Sequence, residues 1–258
     1  MKTLLATLAV VAAMFGVAQA QSEHPTIVLV HGAFADSSSW NGVAAILDKD
    51  GYTVIAAANP LRGVKADGDY VAHLLASLKK PVILVGHSYG GSVISEAADG
   101  EANVKALVYV SAFAPAPGES AAGLAGKFPG STLGPTLAPP VDLADGGHDL
   151  YIQQEKFHEQ FAADVPKAEA RLMALTQRPV TEAALNEPQG KAAWTHIPSW
   201  FIYGDADRNI PPRLYDFMAS RAHARRLVKV AGASHVVMVS HPQEVADLIE
   251  AAAREVER

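Results

Sequence analysis

A serine hydroxyl is a weak nucleophile unless its surroundings activate and aim it, so serines held in constrained turns are the ones to weigh. Gly86-His87-Ser88-Tyr89-Gly90 is such a place, directly after the apolar run Pro81 to Val85 and at the start of a helical pattern, Tyr89 to Ala98. A chain that passes from strand to helix within so few residues forces Ser88 into a strained backbone conformation, with Oγ projecting from the end of the strand. Glycines on both sides keep side chains out of the neighbouring strand and helix. The amide of Tyr89, at the positive end of that helix, can then face the negative charge that grows on a carbonyl oxygen under attack.

Such a serine needs a base within hydrogen-bond reach, and the base needs an acid to fix its tautomer. Ten histidines compete. His235, in Gly232-Ala233-Ser234-His235, lies on a loop just past the last strand-like run, and it alone combines that placement with the chain order Ser, acid, His. His241 stands before Pro242 where a helix starts, which reads as a cap. His31 reads as a hydrogen-bonded structural histidine, and His87, His196 and His223 flank core elements or helix ends.

The segment Gly204 to Pro211 (GDADRNIP) offers two acids. Asp205 is closest to the turn, where carboxylates cap backbone amides. Asp207 stands farther onto the loop with room to reach His235. A second donor for the oxyanion is expected from His31-Gly32-Ala33-Phe34, after the first strand-like run, with the Ala33 amide as first choice and Phe34 as second. Asp36 to Ser39 reads as a helix N-cap. His148, His158 and Glu159 lack any zinc spacing, and no phosphate-binding glycine loop is present, so neither a metal nor an organic cofactor is expected.

Elements able to position these groups recur along the chain. Six short apolar runs (Thr26 to Val30, Tyr52 to Ala58, Pro81 to Val85, Val104 to Val110, Ser199 to Tyr203, Arg226 to Val230) are mostly continuous rather than alternating, as in strands covered on both faces. Helical patterns alternate with them near Ser39 to Lys49, Asp69 to Leu78, Tyr89 to Ala98, Arg213 to Ala222 and Gln243 to Glu255. That alternation predicts crossover units and a parallel sheet with helices on both faces. From Ala114 to about His196 no strand-like run occurs. The stretch is longer than a crossover needs. Its helical patterns near Asp149 to Ala163 and Lys167 to Thr176 predict a helical cap over the carboxyl ends of the strands. Phe161 and its aromatic neighbours there are core material by default, with some placed to line a substrate pocket.

At 258 residues, 49% hydrophobic and 19% charged, the chain reads as one globular domain from Gln21 onward. A net charge of -6 without a Lys/Arg run argues against a nucleic-acid partner. Lys2, the apolar stretch Leu4 to Val17 and Ala18-Gln19-Ala20 form a signal-peptide pattern, too short to span a bilayer comfortably. Cleavage after Ala20 would send a secreted or periplasmic protein out without a stable membrane anchor. Cysteine is absent, which removes disulfides, thiolate metal sites and a lipidated N-terminus.

With HGAF (His31 to Phe34), GHSYGG (Gly86 to Gly91), GDADRNIP and GASH in place, the whole chain after residue 20 resembles the α/β-hydrolase superfamily. Its short N-terminus is similar to the compact branch of plant esterases and hydroxynitrile lyases. The resemblance implies a six-stranded, mainly parallel sheet with a cap. It places the acid in G-x-x-D-x-x-x-P, which selects Asp207 over Asp205. Lyase members of that branch usually carry Thr in place of the Gly of the HG pair and Lys after the catalytic His; Gly32 and Val236 stand here. The implied activity is hydrolysis of a small-molecule ester by a monomer or homodimer. A cofactor-free perhydrolase, a C–C lyase and a slowly turning ligand-binding protein use the same framework.

Overall fold

The computed structural model describes residues 24–257, so the expected signal peptide, Met1 to Ala20, lies outside the described residues. The chain begins with β1 (Thr26–Val30), α1 (Asn41–Lys49), β2 (Val54–Ala57), α2 (Val64–Ser77), β3 (Val82–His87), α3 (Gly90–Ala97) and β4 (Val104–Val110). The cap segment contains α4 (Ala121–Ala125), β5 (Val141–Asp142), β6 (His148–Leu150), α5 (Gln154–Phe161), α6 (Lys167–Thr176), β7 (Val180–Thr181) and α7 (Glu182–Asn186). The core resumes with β8 (Ser199–Gly204), α8 (Pro212–Arg221), β9 (Arg226–Val230), α9 (Val237–Ser240) and α10 (Pro242–Val256).

Six strands form one parallel sheet in the order β2-β1-β3-β4-β8-β9, the α/β-hydrolase fold. Every residue of β1, β3 and β8 is buried, which explains why their sequences run apolar without alternation. The edge strand β9 is largely exposed and carries Arg226 and Lys229, charges that discourage pairing with another chain. The pairs α1–α10 and α2–α3 cover the sheet. Among the described residues, no helix is long and apolar enough to cross a membrane.

The cap is not purely helical. β5, β6 and β7 form a small antiparallel sheet, so the segment read as one helix from Asp149 is a strand before it becomes α5 at Gln154. Helix α2 begins at Val64, five residues ahead of the expected Asp69. Its early start has two causes, one local and one distant. Asp67 accepts the Arg62 and Gly63 amides, and Glu187 from the cap accepts the Val64 amide at 2.5 Å. The cap is further tied to this corner by an Arg62–Asp149 ion pair at 2.6 Å and by Thr181, whose amide donates to the Leu61 carbonyl and whose hydroxyl donates to that of Arg62.

Candidate active site

Ser88 sits between β3 and α3 with φ +53°, the left-handed region that costs a non-glycine residue energy. The surroundings impose it. The Ser88 carbonyl accepts the amides of Gly91 and Phe113, and its own amide donates to Val110 on β4. A side chain at Gly86 would meet the Gly90 carbonyl at 2.6 Å, and one at Gly90 would meet the Val30 carbonyl at 2.6 Å. The turn therefore closes only with glycine on each side.

The Ser88 Oγ lies 2.9 Å from His235 Nε2, and His235 Nδ1 lies 2.7 Å from Asp207 Oδ2. All three residues are buried. A carboxylate only accepts, so Nδ1 carries the imidazole proton and Nε2 is left to accept from the serine hydroxyl. Asp207 is held from every side: Oδ1 takes the Asn209 and Ile210 amides at 2.7 and 3.1 Å, and Oδ2 also takes the Tyr215 hydroxyl at 2.6 Å. Burial first, and the Asp207 charge second, push the Tyr215 phenol well above its usual range, so it stays a donor.

Asp205 does not approach His235 among its hydrogen bonds. Its Oδ1 accepts the Gly232 amide at 2.6 Å, joining the loop after β8 to the loop after β9. His87 lies against the His235 ring, 4.8 Å between centroids, and pairs its Nε2 with the His235 carbonyl at 3.2 Å. Burial, and then the neighbouring His235, drive its proton affinity well below the ordinary histidine range. A neutral ring there keeps a second cation away from His235. His241 makes no side-chain cap to α10; it pairs instead with the Ser240 hydroxyl at 2.9 Å and faces Asp164 at 3.5 Å.

Neither the Ala33 amide nor the Tyr89 amide has a protein acceptor among the described residues. The Phe34 amide is not available: it donates to the Arg178 carbonyl of the cap at 3.1 Å. His31 sets the direction of the Ala33 amide. Asn59 donates its amide to His31 Nε2, so Nδ1 carries the proton and donates to the Gly32 carbonyl at 3.0 Å. In a trans peptide the carbonyl and the next N–H point opposite ways, so holding the Gly32 oxygen turns the Ala33 N–H away from His31. Burial lowers His31 to about 4, which keeps this tautomer at neutral pH. On the other side the Tyr89 hydroxyl donates to buried Asp67 at 2.9 Å, anchoring the first turn of α3.

Ser88 and His235 open on a cavity of about 290 Å³, roofed by the cap through Leu133, Leu137, Phe161 and Leu185. A second cavity of about 250 Å³ lies between α6 and the loop after β1, and Phe34, with φ +60°, belongs to the walls of both. Sequence reasoning missed Tyr215 and Asn209, and it weighed Phe34 for its amide where the structure uses its ring as a cavity wall. For Tyr215 and Asn209 the only local signal is their place just after Asp207, on the loop and helix that must face it.

A parallel sheet whose third strand ends in a serine turn, with an acid loop and a histidine loop at the same edge, defines an α/β-hydrolase. The chain belongs to that family: a profile described as the alpha/beta hydrolase family matches residues 27–248. Over 248 residues it is 25% identical to an alpha-hydroxynitrile lyase of Arabidopsis thaliana, covering 88% of this chain and 96% of that one. It is 29% identical over 245 residues to a pyrethroid hydrolase of Sphingobium wenxiniae, covering 86% and 85% respectively. The crystal structure of polyneuridine aldehyde esterase superposes with a TM-score of 0.76 at 18% identity, over 88% of this chain and 98% of that one, a likeness of fold.

Proposed function

We propose that the protein is a serine hydrolase of carboxylic esters, with Ser88 as nucleophile, His235 as general base and Asp207 as the acid that orients it. The observation that carries this reading is the buried relay of 2.9 and 2.7 Å from Ser88 through His235 to Asp207, opening on an apolar cavity. His235 takes the hydroxyl proton as Oγ bonds to the ester carbonyl carbon, and Asp207 stabilises the imidazolium. The amides of Ala33 and Tyr89 hold the oxyanion. His235 then passes its proton to the departing alcohol, and water, deprotonated by the same histidine, releases the acid from Ser88.

Hydrolysis is favoured over the lyase reaction by Gly32 and Val236. A Cβ at Gly32 would stand 2.6 Å from the His87 carbonyl and 2.7 Å from Ser88 Cβ, so the branched, polar residue of the lyases has no room beside this serine. Val236 is fully buried and presents no ammonium group to a departing anion.

A fluorophosphonate probe tests the nucleophile: wild type should label once, and Ser88→Ala should abolish labelling while unfolding at nearly the same temperature. Purified protein should release p-nitrophenol from short-chain esters and release no cyanide from mandelonitrile above the buffer rate. Rapid cyanide release with negligible ester turnover would reverse the assignment.

A further inference from the structure

The chamber of about 290 Å³ that holds Ser88 and His235 has no Asp, Glu, Lys or Arg in its walls. Its few other polar side chains are engaged elsewhere. The Tyr89 hydroxyl turns away to donate to Asp67 at 2.9 Å. Asn209 accepts the Gln160 amide of the cap through its oxygen at 2.7 Å, and its nitrogen is closed off from the cavity. Ser131 is exposed and stands at the mouth. Once Ser88 carries an acyl group, His235 Nε2 is the side-chain acceptor left inside, among the described residues, for an incoming hydroxyl.

These walls bear on the second half of the reaction, after the first alcohol has left. A buried water commonly makes about three hydrogen bonds and fills about 30 Å³. A water attacking the acyl group here has one fixed side-chain partner, and it leaves the berth of the departed alcohol empty. A primary alkanol presents the same hydroxyl to His235 and covers the apolar walls with its chain, and each methylene withdrawn from water is stabilising.

We propose that the protein has a second activity, acyl transfer, in which its acyl-enzyme passes the acyl group to uncharged apolar primary alcohols. The proposal rests on the ester-hydrolase reading, because both activities share one acyl-enzyme. The alcohol oxygen bonds to the acyl carbon while His235 Nε2 takes its proton, and the amides of Ala33 and Tyr89 hold the oxyanion. The bond from that carbon to Ser88 Oγ then breaks, and His235 returns the proton to Oγ. One ester and one alcohol are consumed, one ester and one alcohol are formed, and no further reactant is needed.

A series of acceptors tests it. p-Nitrophenyl butanoate supplies the acyl group in the presence of methanol, ethanol, 1-propanol or 1-butanol at equal concentration. The readout, from initial rates, is the ratio of alkyl butanoate to butanoic acid formed, which divides out the acylation step. It should rise about fourfold with each added methylene, the worth of one CH₂ withdrawn from water. 2-Methoxyethanol matches 1-butanol in length but carries an ether oxygen, and it should be captured several times less well. Ser88→Ala should form no new ester. A ratio that stays level from methanol to 1-butanol, or equal capture of 2-methoxyethanol and 1-butanol, would overturn the proposal even though the donor is hydrolysed. Absence of p-nitrophenol release by wild type would instead overturn the ester-hydrolase reading beneath it.

Discussion

The Tyr215 hydroxyl donates to Asp207 Oδ2, the same oxygen that faces His235 Nδ1. One lone-pair-bearing atom thus serves two donors, one from α8 and one from the loop after β9. Tyr215 holds the carboxylate in the position from which it orients His235. In Tyr215→Phe kcat should fall about tenfold, for a lost hydrogen bond to a charged group, while the protein stays folded. An unchanged kcat would reduce Tyr215 to a packing residue.

Asp207→Asn should lose on the order of 10⁴ in kcat, as in the best-studied serine triad, while remaining folded. Asp205→Asn keeps an oxygen for the Gly232 amide and loses only the charge that faces Lys229 at 3.8 Å, so it should cost at most about 1 kcal/mol of stability with most of kcat retained. Kinetics and melting curves on both variants check this. The reverse pattern would exchange the two roles.

His31 gives the fold a pH dependence of known sign. Its value falls from 6.5 in the unfolded chain to about 4 in the folded protein, so the unfolded state binds the extra proton first. Stability is full above about pH 6.5 and is lost as pH falls toward 4, by up to about 3 kcal/mol. His31→Gln should flatten the slope of unfolding free energy between pH 7 and 4. His87 keeps a slope of the same sign in that variant. An unaltered slope would mean that acid destabilises the protein elsewhere.

Phe34 separates cavities of about 290 and 250 Å³. Phe34→Ala should join them and move the optimum of a graded p-nitrophenyl ester series toward longer acyl chains, with a lower melting temperature from the lost packing. A fixed optimum would mean that the second chamber never receives substrate.

Ser88 was legible because it stands directly after β3, whose run of Val, Ile and Leu announces a buried strand, whereas His235 was legible from its loop beyond the exposed edge strand β9 and from chain order. Asp207 was not separable from Asp205 by local reading, since both lie on one loop. Family spacing favoured one of them, and the hydrogen bonds now show Asp205 engaged elsewhere. The cap strands span two or three residues, too few for an alternating pattern to register. The start of α2 escaped notice for a different reason: Glu187, which satisfies its first amides, is more than a hundred residues away. The contact between Tyr215 and Asp207 likewise forms only once the fold brings α8 against the acid loop.

The hydrogen bond from the Phe34 amide to the Arg178 carbonyl makes the loop that carries Ala33 continuous with the cap. Leu61 and Arg62 are sewn to Thr181 a few residues on. Lifting the cap therefore slackens the floor beside the serine, and Ser88, His235 and Asp207 would stay aligned in a chamber that had lost its grip on the oxyanion. Exchange of the Phe34 amide with solvent deuterium and loss of turnover should then rise together in any variant that loosens the cap. Anyone grafting a foreign cap onto this sheet would need to leave residues 178–181 behind with the core, as the hem by which the floor is fastened.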